Sequence, residues 1–322
     1  MSVARQGLSR CARWPQVIFA GEEMQEAVRT MPPTPAKVQA DVHQLLTRNK
    51  ERIVLFHFTC PGAQTTLLWS HGNAMDVGEM YFFFLQLADR LRVNIAAYDY
   101  SGYGGSSGEP SEANVYADIL AVYDFLEAGG VQPQTQLVLY GQSVGSAPSM
   151  WLATRRPVCG TILHTPLLSG LRVLIKPAGC CTLAGCCSPT CVFGLCDPFP
   201  NMSRIRRVTC PVLLVHGTAD QTVDCSHSIE LYRRTPEAFR RQPYIIKGAG
   251  HDNIVEFDPE AYFVTISNFL QSLAMGGAAA AAAASSLPPP PTAIALAELY
   301  ESILAEYAAA ASPPESARGG RS

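Results

Sequence analysis

The sequence is short of charge. Only 16% of its 322 residues are Asp, Glu, Lys or Arg, while 48% are hydrophobic. A mainly disordered chain needs the opposite balance, so disorder throughout is excluded. Nor is there a basic excess: 24 Lys and Arg face 27 Asp and Glu, for a formal net charge of −3. Binding nucleic acid by neutralising phosphates has no basis in that balance, and no nucleic-acid partner is expected. No secretory signal is expected, because Val17 to Ala20 is too short for its apolar region. No nucleotide-binding Gly loop and no metal-binding His pair occurs, so no cofactor is expected. The length allows one large α/β domain or two ordinary ones, enough for a core without disulfide staples.

Cysteine is plentiful but unevenly spread. Of 11 Cys, Cys180, Cys181, Cys186, Cys187, Cys191 and Cys196 fall within one short segment, and the others are scattered. A secreted disulfide scaffold would be shorter and would space its Cys evenly. A reduced cytoplasmic setting is therefore expected. Arg5, Arg10 and Arg13 read as an unstructured basic end.

Composition divides the chain. Residues 1–50 read as a partly unstructured extension, with a Pro-rich stretch from Met31 to Pro35 and a helix over Ala36 to Arg48. Residues 274–322 form a low-complexity tail, with Ala278 to Ala284 unbroken and Pro288 to Pro291 after it. Within the tail, Leu296, Leu299, Tyr300, Ile303, Leu304 and Tyr307 make one apolar stripe of a helix over 292–310.

Residues 51–273 have a regular pattern. Short apolar runs predict strands at Arg52–Phe58, Thr65–Ser70, Asn94–Tyr98, Gln136–Tyr140, Val158–His164, Pro211–His216 and Tyr244–Ile246. Helices are predicted at Gly78–Leu91, Glu112–Ala128, Val144–Thr154, Ser226–Arg234 and Pro259–Leu273. The alternation predicts an α/β fold, a mostly parallel, doubly wound sheet with helices on both faces.

The motif that carries chemistry is Gly141-Gln142-Ser143-Val144-Gly145, between a predicted strand and a predicted helix. This is the strand–turn–helix setting of a nucleophile elbow. Side chains at the flanking positions would clash in so sharp a turn, hence Gly. An acylating Ser needs a base, and the base needs an orienting acid, in the chain order Ser, Asp/Glu, His. His251 is the late His, in the loop Gly248-Ala249-Gly250-His251-Asp252. Asp220 and Asp224 both follow the strand ending at His216, and Asp220 is favoured because it lies nearer the carboxyl edge of the sheet. Asp99 precedes Ser143 and is expected to brace its own loop; His71 is expected to fix another. The oxyanion donors are expected from the backbone N–H groups of Val144 and Asn73, the latter in Ser70-His71-Gly72-Asn73-Ala74.

These segments resemble, in the same order, the α/β-hydrolase domain-containing protein 17 family. The resemblance rests on Ser70-His71-Gly72-Asn73-Ala74, Tyr98-Asp99-Tyr100-Ser101-Gly102-Tyr103-Gly104, Tyr140-Gly141-Gln142-Ser143-Val144-Gly145, His216-Gly217-Thr218-Ala219-Asp220 and Gly248-Ala249-Gly250-His251. It covers about Arg52 to Leu273, and it implies an α/β-hydrolase domain with Ser143, Asp220 and His251 as its triad. It also implies a serine hydrolase that removes palmitoyl groups from protein Cys. The animal relatives carry a Cys-rich, lipid-modified N-terminus, whereas here only Cys11 lies in that region, and Ser2 replaces the Gly that myristoylation requires.

The Cys cluster sits instead in a cap insert at 171–197. Pro177 to Cys196 carries no charge, but Pro and Gly interrupt it too often for a membrane-spanning helix. Paired Cys-x-x-Cys zinc spacing is absent. Three readings remain: reduced Cys packed as small hydrophobes, S-acylation at Cys180, Cys181, Cys186, Cys187 and Cys191 with contact to a membrane surface, or a metal site or disulfide. The expected function is cleavage of acyl thioesters on S-acylated proteins by a cytoplasmic enzyme held peripherally at the membrane. A carboxylesterase or lipase with the same triad, and a non-catalytic membrane-recruited scaffold, are the alternatives.

Overall fold

The computed structural model of the chain describes residues 37–174 and 197–274. They build one eight-stranded sheet. Its strands are β1 (Gln39–Leu46), β2 (Arg52–Thr59), β3 (Thr66–Ser70), β4 (Asn94–Tyr98), β5 (Leu137–Gln142), β6 (Gly160–His164), β7 (Val212–Gly217) and β8 (Tyr244–Ile246). The order is β1-β2-β4-β3-β5-β6-β7-β8. β2 runs antiparallel to both β1 and β4, and the remaining pairs are parallel.

Helices cover both faces, as the strand sequences require. β3 is buried at every position, so successive side chains need an apolar partner above and below the sheet. Leu67 and Trp69 join one core, with helices α1 (Tyr81–Leu91) and α5 (Pro259–Ala274), through Phe84, Tyr262 and Ile266. Leu68 joins the other, with α2 (Glu112–Ala128), α3 (Ser146–Ala153) and α4 (Ser226–Arg234), through Ile119, Met150 and Leu231. α2 begins where Ser111, in extended backbone, accepts the Asn114 N–H, a side-chain cap that fixes its first turn.

The helix expected over Ala36 to Arg48 is a strand. Val38, Val42 and Leu45 have helical spacing, but Val42 faces Phe56 in full register between β1 and β2. The turn closes with Lys50 N–H on Thr47 O (2.9 Å) and Lys50 in left-handed backbone (φ 67°). Long-range pairing overrides the local pattern, and the sheet therefore starts before residue 51. The helix expected from Gly78 begins at Tyr81. The one expected from Val144 starts with a 3₁₀ turn at Ser143–Gly145. Short helical turns at Pro133–Gln136, Asn201–Arg204 and Ile254–Phe257 went unexpected, being too brief to show a period.

Candidate active site

The carboxyl ends of β5, β7 and β8 bring the chemistry together. Ser143 follows β5 with φ 52°, a left-handed conformation that is strained for a residue with a side chain. Its two Gly neighbours are demanded by space. A Cβ on Gly141 would come within 2.6 Å of Gly145 O, and one on Gly145 within 2.1 Å of Ser70 O. The turn is thus pressed against the end of β3, and a Cβ on Gly72 would lie 3.9 Å from Ser143 Cβ. The 70–74 loop therefore passes directly beside the Ser143 side chain.

A second tight approach delivers the His. A Cβ on Gly217 would stand 2.2 Å from Ala249 O, so the end of β7 and the loop after β8 are in backbone contact. Ala219 N–H donates to Ala249 O (2.9 Å) and Thr218 N–H to Ile246 O (2.9 Å). Across this seam His251 Nδ1 lies 2.7 Å from Asp220 Oδ2, and its Nε2 lies 3.0 Å from Ser143 Oγ. The carboxylate only accepts, so Nδ1 carries the proton and Nε2 is left to accept from the Ser143 hydroxyl.

Asp220 is locked from several sides. Its Oδ1 accepts the N–H groups of Thr222 (2.9 Å) and Val223 (2.8 Å). Its Oδ2, shared with His251, also faces His216 Nε2 at 3.1 Å. Burial alone would raise this carboxyl, but hydrogen bonding and charge from His216 and His251 outweigh it and hold the group well below the usual carboxylate range. The rival Asp224 is exposed and accepts the N–H of Ser226 (2.9 Å) at the start of α4.

No sequence motif assigns a role to His216 or His164. His216 is fully buried; Nε2 also meets Val223 O (2.9 Å), and Nδ1 meets Ser228 Oγ (2.7 Å). Two acceptors beside Nε2 place the proton there, so Nδ1 accepts from Ser228. His164, at the end of β6, bonds Tyr140 through Nδ1 (2.6 Å). Burial, then the nearby His216 and His251, lower it to about 3, which keeps it neutral. The available signal was position alone: both His close buried strands at the edge where ligand loops converge.

Val144 follows Ser143 within the 3₁₀ turn, and Asn73 lies in the 70–74 loop, where Tyr103 donates to its Oδ1 (2.7 Å). Asp99 spans two loops, taking the N–H groups of Val77 (2.8 Å) and Gly105, and burial pushes it up to about 7. His71 donates from Nδ1 to Gly72 O (2.7 Å) and is lowered to about 4 by burial. Cys180, Cys181, Cys186, Cys187 and Cys191 lie outside the described residues, as do residues 275–322 with the helix expected over 292–310. Among the described residues, no group of His, Cys, Asp and Glu could hold a metal ion, and no helix is long and apolar enough to cross a membrane.

No family model matches the chain. Curated relatives do. The chain is 40% identical over 209 residues to the alpha/beta hydrolase domain-containing protein aho-3 of Caenorhabditis elegans, covering 65% of this chain and 59% of that one. It is 44% identical over 201 residues to the human alpha/beta hydrolase domain-containing protein 17C, covering 62% and 56%. With the 17B protein of Xenopus laevis, identity is 42% over 209 residues, covering 65% of this chain and 67% of the relative. The chain belongs to the alpha/beta hydrolase domain-containing protein 17 family. Of the first relatives, this family member spans rather under three-fifths of the length (59% and 58%). Solved structures with its fold include the Pyrococcus furiosus esterase Pf2001, at 14% identity and TM-score 0.59 over 80% of this chain and 95% of that one. Another is the Rhodococcus esterase RhEst1, at 21% identity and TM-score 0.53 over 72% and 99%. Both are α/β-hydrolase folds, as is the present chain.

Proposed function

We propose that this chain is a serine hydrolase of acyl thioesters that removes palmitoyl groups from S-acylated proteins. The observation that carries the reading is the hydrogen-bonded line from Ser143 Oγ through His251 (3.0 Å to Nε2, 2.7 Å from Nδ1) to Asp220. Ser143 Oγ attacks the acyl carbonyl while His251 Nε2 takes its proton. Asp220 holds the imidazole tautomer and stabilises the imidazolium. The N–H groups of Val144 and Asn73 receive the oxyanion. Collapse of that intermediate breaks the C–S bond, and His251 returns the proton to the departing sulfur. Water, deprotonated by the same His251, then attacks the acyl-enzyme; the fatty acid leaves and Ser143 regains its proton.

A thiol ionises near pH ~8.5, so its thiolate leaves far more readily than an amine. The thioester preference and the protein substrate rest on the resemblance to the family. The same reading gives the uncharged Cys-rich insert a role as anchor: acylation of two or more of Cys180, Cys181, Cys186, Cys187 and Cys191 would hold the enzyme at a membrane, where one acyl chain binds only marginally. Thioester-selective labelling of those Cys tests the anchor. The activity is tested by offering the purified chain a palmitoylated peptide and its oxygen-ester counterpart. Faster release from the thioester is expected; release from the oxygen ester alone would make the chain a carboxylesterase, and release from neither would leave it a scaffold.

A further inference from the structure

The strained turn at Ser143 is held from inside the protein by two side chains outside the Ser143–His251–Asp220 line. Ser146 opens α3 and is fully buried. Its Oγ donates to the carbonyl oxygen of Ser143 (2.6 Å), and its N–H reaches the same oxygen. With its one proton on that carbonyl, Oγ can only accept further, and it accepts twice: from the Leu167 N–H (3.3 Å) and from Asn201 Nδ2 (3.2 Å). Asn201 is fully buried too, and Nδ2 also donates to Leu167 O (3.0 Å). A carbonyl oxygen only accepts, so the amide nitrogen must face Leu167 O, which settles the orientation of Asn201.

Both partners of Ser146 are anchored away from the turn. Leu168 N–H donates to His227 Nδ1 on α4 (3.2 Å), and Met202 N–H donates to Leu168 O (2.9 Å). Phe199 N–H donates to Glu112 Oε1 (3.0 Å), and buried Arg204 donates to the Tyr116 hydroxyl (2.6 Å), both on α2.

The Ser143 carbonyl and the Val144 N–H belong to one planar trans peptide, so they point in opposite directions. Drawing the carbonyl oxygen inward onto Ser146 therefore turns the Val144 N–H the other way. We propose that Ser146 and Asn201 are positioning residues, which aim the Val144 N–H at the oxyanion by holding the carbonyl of Ser143. The inference rests on the acyl-hydrolase reading above and adds how one of its proposed oxyanion donors is fixed. Ser146 acts directly on the peptide. Asn201 acts through Ser146: it occupies Leu167 O, so the Ser146 hydroxyl proton has the Ser143 carbonyl as its acceptor. Such a hold matters because a donor already in place stabilises developing charge without having to turn as the reaction proceeds.

The test compares the purified full chain with Ser146→Ala, Asn201→Ala and the double variant, folding being checked by urea unfolding. On p-nitrophenyl butyrate, Ser146→Ala should lower kcat and kcat/KM alike by about tenfold, less than the ~10²–10³ of losing an oxyanion donor outright. Asn201→Ala should cost less, and should add nothing in the Ser146→Ala background, because it acts through Ser146. A slack turn that only misplaced Ser143 would also lower kcat, so a second readout separates the two. Ser143 Oγ adds to the carbonyl carbon of a ¹³C-labelled alkyl trifluoromethyl ketone, and its proton passes to His251, leaving the ketone oxygen as the oxyanion. The ¹³C shift reports the pH at which that oxygen is protonated, and a well-aimed N–H lowers this pH. In Ser146→Ala it should rise by about one unit. Should Ser146→Ala fail to fold, Asn201→Ala carries the test, with a smaller shift in the same direction. Turnover within twofold of wild type in the folded variants, an unshifted adduct, or losses that add fully in the double variant overturn the assignment. A wild type that neither hydrolyses the ester nor forms the adduct overturns the acyl-hydrolase reading, and this inference with it.

Discussion

His216 Nε2 stands 3.1 Å from Asp220 Oδ2, the same oxygen on which His251 Nδ1 rests at 2.7 Å. One carboxylate oxygen thus serves a buried ring that anchors it and a half-buried ring that uses it. Replacing His216 by Leu removes the anchor and should cost about 1.5–3 kcal/mol at pH 7, the scale of a hydrogen bond to a charged group. His216→Gln, which restores an N–H at that reach, should recover part of the loss. The pH dependence has a definite sign. Asp220 sits below its unfolded value of about 3.9, so the stabilisation is complete above that pH and is lost as pH falls beneath it. Urea unfolding at pH 7 and at successive pH values below about 3.9 should show the gap between wild type and His216→Leu unchanged down to that pH and narrowing beneath it.

Asp220→Asn should lower kcat by on the order of 10³–10⁴-fold, because the amide favours the wrong His251 tautomer. Asp224→Asn should cost far less, since that carboxylate caps a helix start and is exposed. Steady-state rates on one acyl ester check the ranking, and the reverse order would hand the orienting role to Asp224.

The strain at Ser143 predicts a trade of activity for stability. A side chain in left-handed backbone costs about 1–3 kcal/mol, and the added freedom of Gly in the unfolded chain returns about 0.4–1 of that. Ser143→Gly should therefore be more stable than wild type by about 1 kcal/mol while losing turnover. Thermal or urea melts of the two proteins measure it; a destabilised variant would contradict the strain.

Gly145→Ala is expected to be severe. Its Cβ would fall 2.1 Å from Ser70 O, a backbone atom with nowhere to go. A loss of at least about 3 kcal/mol is expected, read as a lowered urea midpoint or as failure to obtain folded protein.

These consequences show why some of the molecule was legible in the sequence. The elbow is a local device, so Gly141, Ser143 and Gly145 announce it in five residues. The parallel strands are buried on both faces and read as continuous apolar runs. Asp220 could be ranked above Asp224 because it follows the strand end more closely. The strand β1 was not legible, since Val42 and Leu45 suit a helix until β2 is placed beside them. His216 was not legible as a partner of Asp220, because the hydrogen bond depends on how the β7–α4 loop folds back on its own strand.

The central claim is that Ser143 is the acylated residue. The most direct measurement is to react the purified chain with a fluorophosphonate probe and locate the adduct by peptide mass spectrometry. The account predicts one adduct, on Ser143, absent from Ser143→Ala and strongly slowed in His251→Ala, both variants remaining folded. An adduct on another residue, or wild-type labelling of folded Ser143→Ala, would contradict it.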